Sequence, residues 1–113
     1  MRTDALPFIS PTATFTQLVL RMSEGRLGMV IVGTADNLLG VITDGDLRRG
    51  LVKHPDIQAL PITEIMKTSP ITICDDELVY DAEELMISNK ITSLLVHNTN
   101  NTITGIYQIF SKV

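Results

Sequence analysis

The chain is written twice, and that repetition restricts its fold more than any other feature. The stretch LPFISPTATFTQLVLRMSEGRLGMVIV, from Leu6 to Val32, lies over SPITICDDELVYDAEELMISNKITSLLV, from Ser69 to Val96. Pro7 falls on Pro70, Met22 on Met86, Arg26 on Lys90, and GMVIV on TSLLV. Further on, Gly40 of LLGVIT meets Gly105 of ITGIYQ. The offset is about 64 residues, and order and spacing match where identity does not.

Each copy reads in the same order. A short apolar strand follows the proline, at Phe8 and Ile9 and again at Ile71 and Ile73. A helix comes next, with Phe15, Leu18, Val19 and Met22 at the spacing of an amphipathic stripe. Thr14 followed three residues on by Gln17 is a capping-box signature at its start. In the second copy Val79, Ala82, Leu85 and Met86 form the stripe, and Asp76 is placed to cap it. Two strands follow, GMVIV and LLGVIT around the turn GTADN, then SLLVH and TITGIYQ around NTNN. In copy one a helix from about Asp46 to Lys53 closes the unit. The segment KHPDIQALPITEIM, punctuated by Pro55 and Pro61, links the copies.

The repeats are thus expected over 1–59 and 60–113, the second without a full closing helix. A three-stranded sheet can hardly cover both its faces alone. The expected fold is α+β: two β-α-β-β-α repeats packed sheet to sheet with pseudo-twofold symmetry, leaving clefts between the halves.

Composition narrows the function. Aromatic residues make up 4% of the chain and Trp is absent, so the core is aliphatic and the stacking platforms of single-strand binders are missing. The net charge of −4 provides no overall pull toward nucleic acid or an anionic membrane, and neither is expected as a partner. Cys74 is the single cysteine, which excludes an intrachain disulfide and points to a cytoplasmic protein. Within PITIC it reads as a buried thiol. No apolar run approaches the roughly 18–20 residues of a membrane span, and the N-terminus does not resemble a signal peptide.

The chemistry concentrates in GVITDGDLRRG, from Gly40 to Gly50, a strand breaking into a helix. Thr43, Asp44, Gly45 and Asp46 crowd the break, with Arg48 and Arg49 just beyond. One reading is structural: Thr43 or Asp44 caps the helix and Asp46 sits in its first turn, where acidic residues are favoured. The other is a grip on ribose and phosphate. A carboxylate accepts from two vicinal hydroxyls, a helix N-terminus attracts an anion, Gly45 admits a close ligand, and guanidiniums bind phosphate or carboxylate in bidentate fashion. DGD lacks the spacing and closing glutamate of a calcium loop, so no metal is expected. His54 and His97 read as surface residues; Asp75, Asp76 and Glu77 read as an acidic helix start. Met22, Met29, Met66 and Met86 read as core. No nucleophile, base and orienting group come together, so no catalytic residue is expected in this chain.

Two such copies, each with a proline-marked first strand and a closing strand of the form Gly-x-x-[Thr/Ser]-x-x-Asp, resemble tandem CBS domains. Copy one carries the whole motif from Gly40 to Asp46. More narrowly, MRTDALPFISP, RLGMVIV, LLGVITDGDLRRGL and ITEIMKTSPITI are similar to the C-terminal CBS pair of the sugar isomerases that interconvert ribulose 5-phosphate and arabinose 5-phosphate, a step toward Kdo and lipopolysaccharide. In that family the isomerase chemistry belongs to an upstream sugar isomerase domain, so this chain is expected to be a regulatory part of a longer enzyme. The resemblance implies that Asp46 accepts hydrogen bonds from ribose hydroxyls and that Thr43 contacts phosphate or ribose. It implies a wall from the backbone of Ala5, Leu6 and Pro7, a pocket lined by Gly28 and Met29, and self-association through helices into a homodimer or higher oligomer. No cofactor is required. The effector implied is a nucleotide or nucleotide-sugar, with CMP-Kdo as the pathway end product. Copy two departs from the motif, with Gln108 in place of Thr43, Ser111 in place of Asp46 and Phe110 between them, so one site per pair is expected. The alternative is a structural oligomerisation module that binds nothing.

Overall fold

Hydrophobic alternation and helical stripes produce the same small unit twice. The computed structural model describes residues 2–76 and 79–108, with all their side chains except those of Val79 and Tyr80. The elements are β1 (Phe8–Ile9), α1 (Phe15–Gly25), β2 (Met29–Thr34), β3 (Asn37–Thr43), α2 (Asp44–Lys53), β4 (Thr72–Cys74), α3 (Val79–Asn89), β5 (Ser93–His97) and β6 (Ile103–Gln108). Two short 3-10 turns, Ile57–Ala59 and Ile62–Glu64, occupy the link between the copies.

Each copy forms its own three-stranded sheet, β1-β2-β3 and β4-β5-β6, with a parallel pair followed by an antiparallel pair. The correspondence is close in detail. Val32 pairs with Gly40 as Val96 pairs with Gly105, and both ladders slip just after that valine. α1 and α3 both end at a left-handed residue, Arg26 and Lys90, each with φ near 57°.

Residues 7–70 make one compact unit; residues 2–6 belong with those from Ile71 onward. In the first unit Ile9, Leu18, Met22, Val30, Val32, Ile42 and Ile62 form the core, flanked by Phe15, Leu39, Leu47, Ile65 and Met66. In the second, Ala82, Met86 and Leu94 pack with Ile71, Ile73, Leu85, Ile91 and Tyr107. The capping box at Thr14 forms as read, with Gln17 N–H donating to Thr14 Oγ1 at 3.1 Å and Thr14 N–H to Gln17 Oε1 at 2.8 Å.

The compact units divide the chain by contact, the repeats by sequence order. The repeat limits of 1–59 and 60–113 follow sequence order, whereas the contacts follow two edge pairings. Arg2 and Ile106 exchange backbone hydrogen bonds of 2.9 and 2.8 Å, so the N-terminal segment extends the second sheet at β6. Val41 and Lys67 exchange bonds of 3.0 and 2.8 Å, so the link extends the first sheet at β3. Each sheet thereby gains its fourth strand position from the segment that precedes the other repeat.

Three expectations need correction. Val19 is 37% exposed and lies on the flank of α1, outside the buried stripe. Cys74 is half-buried, because β4 is a three-residue edge strand with no buried position. His54 and His97 are half-buried too: the His54 N–H closes α2 on the Gly50 carbonyl at 2.9 Å, and His97 Nδ1 lies 2.9 Å from the Asn98 carbonyl. The cap expected at Asp76 and the cluster with Glu77 involve residues 77–78, outside the described residues.

Candidate functional site

β3 ends where its last residue becomes the cap of the next helix. Thr43 has extended backbone, φ −100° and ψ 168°, and α2 starts at Asp44, two residues earlier than the sequence expectation. That phase makes Asp46 the third helical residue, and Thr-x-x-Asp closes a second capping box. Asp46 N–H donates to Thr43 Oγ1 at 3.2 Å, while the Thr43 N–H and hydroxyl both donate to Asp46 Oδ2 at 3.0 Å. Arg49, one turn on, donates from Nη2 to Asp46 Oδ1 at 2.7 Å.

Asp46 is 9% exposed and is the buried charged side chain among the described residues. Burial pushes its carboxyl up. The Thr43 N–H, the Arg49 guanidinium, the Thr43 hydroxyl and the charge of Lys67 together outweigh that effect, holding it below the usual carboxylate value. It therefore stays ionised at neutral pH.

The turn is anchored to its neighbours by backbone pairing. Met29 pairs with Thr43 across the sheet, and the Asp44 N–H donates to the Gly28 carbonyl at 2.9 Å. Gly28 sits at φ +69°, where a side chain would also crowd the Asp44 carboxylate. Pro7 is fully buried and its carbonyl accepts from the Ile31 N–H at 2.8 Å. So Gly28, Met29, Thr43, Asp44, Gly45, Asp46 and Arg49 are brought together, with Pro7 one strand away.

Ala5 and Leu6 belong to the other compact unit. Ala5 has φ +48°, and its carbonyl already accepts from Arg2 Nη2 at 3.0 Å. Gly45 has a role that its sequence position did not suggest: a Cβ there would meet the Arg49 guanidinium at 3.2 Å, so the glycine makes room for the partner of Asp46. Asp44 and Arg48 are exposed. A recess of about 230 Å³ on α2 is lined by Arg48, Arg49, Val52 and Lys53. Lys53 was missed in the sequence reading; its spacing of four and five residues from Arg49 and Arg48 was the available signal.

The second copy has no such site among its described residues. Gln108, opposite Ser93 as Thr43 is opposite Met29, donates to the Ser93 hydroxyl at 2.8 Å. Phe110 and Ser111 lie outside the described residues. Among the described residues no group of three His, Cys, Asp or Glu side chains could hold a metal ion, and no helix is long and apolar enough to cross a membrane.

The chain is similar to known proteins over nearly its whole length. The chain is 36% identical over 106 residues to the arabinose 5-phosphate isomerase KpsF of Escherichia coli, covering 93% of this chain and 32% of that protein. It is 37% identical over 105 residues to the arabinose 5-phosphate isomerase GutQ of Shigella flexneri, covering 92% of this chain and again 32% of the relative. The chain therefore spans about a third of the length of these curated relatives.

Among solved structures, a CBS domain protein from Pyrobaculum aerophilum complexed with AMP superposes with a TM-score of 0.81 at 25% identity, over 96% of this chain and 87% of its own. A CBS-domain containing protein from Agrobacterium tumefaciens shares the fold at 17% identity, with a TM-score of 0.80 over 92% of this chain and 82% of its own. The sequence profile of the CBS domain matches residues 1–53 and again 62–107. The chain belongs to the CBS domain family and carries the domain twice.

Proposed function

We propose that this CBS pair is the regulatory module of an arabinose 5-phosphate isomerase and that its Thr43–Arg49 turn binds a nucleotide or nucleotide-sugar such as CMP-Kdo. The observation that carries the reading is the buried, ionised Asp46 at the motif position. A cap alone does not need it: Thr14 and Gln17 cap α1 with two neutral side chains. Asp46 keeps a charge out of water at a desolvation cost, and its Oδ1 meets only Arg49, which is 63% exposed at its side chain. The P. aerophilum relative, complexed with AMP, supports a nucleotide as the ligand class. In this reading Asp46 takes the ribose hydroxyls, the arginines take the anionic group, and Gly28 and Met29 flank the sugar. Isomerisation belongs to an upstream sugar isomerase domain of the parent enzyme, a cytoplasmic homo-oligomer serving lipopolysaccharide synthesis.

A thermal-shift series tests it, using CMP-Kdo, CMP, AMP, ADP, ATP, S-adenosylmethionine and arabinose 5-phosphate. A ligand at a hundredfold excess over Kd adds about 2.7 kcal/mol of stability, a readily visible rise in Tm. A rise with one nucleotide that Asp46→Ala abolishes supports the sensor.

A second reading is favoured by a different observation. Leu20, Leu51, Val52 and Ile87 are 58%, 50%, 85% and 69% exposed, all on helices. Such surface suits an oligomerisation module that binds no ligand. A flat response across the series from a folded, self-associated protein would favour it.

A further inference from the structure

The hydrogen bonds at the turn leave few groups for a ligand, and they single out one residue. Asp46 Oδ2 already accepts from both the N–H and the hydroxyl of Thr43 at 3.0 Å, which fills its two lone pairs. The Thr43 hydroxyl has spent its only proton on that bond, so it has none to give to a phosphate. The Asp44 and Asp46 N–H groups are spent on the Gly28 carbonyl and on Thr43 Oγ1. The helix start thus keeps the Gly45 N–H alone among its first three amides for an anion. On Asp46 one acceptor position remains, the second lone pair of Oδ1, because Arg49 takes the first at 2.7 Å; a vicinal diol needs two.

From this we infer that Arg49 is the specificity-determining residue of the site: it guards Asp46 and releases it only to a ligand that carries an anion. The inference rests on the nucleotide reading above. Arg49 is well placed for the exchange. Its side chain is 63% exposed, Gly45 leaves its guanidinium room, and Arg48 stands beside it on the exposed side of α2. A nucleotide that enters with its ribose toward Asp46 offers Arg49 a phosphate in exchange for the carboxylate it gives up. A neutral nucleoside offers nothing in return: to place both ribose hydroxyls on Asp46 it must break the ion pair and leave a guanidinium without its partner. The pair therefore acts as a filter for phosphorylated ligands.

The filter predicts opposite responses in one variant. Affinities of the full chain for AMP, adenosine, CMP and cytidine are measured by calorimetry, for wild type, Arg49→Met and Arg48→Met. Wild type should prefer the nucleotide of the matching base over its nucleoside by about tenfold or more. Arg49→Met should weaken the nucleotide yet tighten the nucleoside by about threefold or more, because Asp46 Oδ1 is freed. Arg48→Met, which does not touch Asp46, should weaken the nucleotide and leave the nucleoside unchanged. A nucleoside affinity that stays level or falls in Arg49→Met, while wild type still prefers the nucleotide, overturns the filter and leaves the nucleotide site standing. Silence of wild type toward all four ligands removes both.

Discussion

At the scale of single residues, Asp46 does two jobs that can be separated. It caps α2 through Thr43 and it holds Arg49. Asp46→Ala removes the acceptor that satisfies the Thr43 N–H and should cost about 1–2 kcal/mol in urea unfolding. The exposed Arg49 adds less than about 1 kcal/mol through its pair. Because Thr43 and Asp46 share one box, Thr43→Ala and Asp46→Ala together should cost clearly less than the sum of the singles. Additive losses would mean that the two side chains act apart.

The pH dependence follows from the lowered carboxyl of Asp46. The unfolded chain binds its proton more readily, so the contribution is complete above the unfolded value of about 3.9 and is lost as pH falls through the lower folded value. The stability gap between wild type and Asp46→Asn should therefore be level from about pH 6 to 5 and shrink below about pH 4. A gap that widens on acidification would reverse the sign assigned to this group. Thr43 and Asp46 could be read from the sequence because the motif spells them out. The spacing also separates Arg49, three residues from Asp46 and so one turn on, from Arg48, which is two residues away and on another face. What the spacing does not show is that Thr43 caps the helix and brings Asp46 into a bond with it.

At the scale of elements, the amphipathic stripe placed α1 but blurred its edge. Positions three and four apart both satisfy a helical pattern, and only packing decides which flank is covered. Leu18 is fully buried against β2 and β3 side chains in the core, whereas Val19 is 37% exposed. Leu18→Ala should cost about 2–5 kcal/mol, and Val19→Ala about 0.5 kcal/mol or less. Comparable losses at the two positions would show that the stripe faces elsewhere.

The glycine of the motif, Gly40, serves the sheet. A Cβ there would stand 2.6 Å from the Lys67 carbonyl oxygen and 2.9 Å from Met66 Sδ, so the link could no longer lie against β3. Gly40→Ala should lower stability by about 1–3 kcal/mol, read from the urea midpoint. The motif thus joins two demands in one strand, an approach of backbone at Gly40 and a cap at Thr43. Sequence spacing shows both residues and separates neither demand.

At the scale of the whole chain, the doubled pattern showed the two sheets and hid their edges. The short runs Met-Arg-Thr at residues 1–3 and Met-Lys-Thr at 66–68 stand about 65 residues apart, a repeat signal beyond the aligned stretches. They are too short and polar to read as strands, because an edge pairing of one residue leaves no alternation. Yet Arg2 bonds β6 and Lys67 bonds β3, each at the equivalent position. The consequence appears in amide exchange. The N–H groups of Val41 and Ile106 point away from their own hairpin partners and would exchange as edge amides if nothing covered them. With Lys67 and Arg2 in place, both should be protected. Removal of residues 1–5 should expose the Ile106 amide, raising its exchange rate by about tenfold or more, while Val41 keeps its protection from Lys67. If Ile106 exchanges no faster in the shortened chain, the N-terminal segment does not complete the second sheet in solution. If Val41 loses protection as well, the two edges stand or fall together, and the chain behaves as one cooperative body.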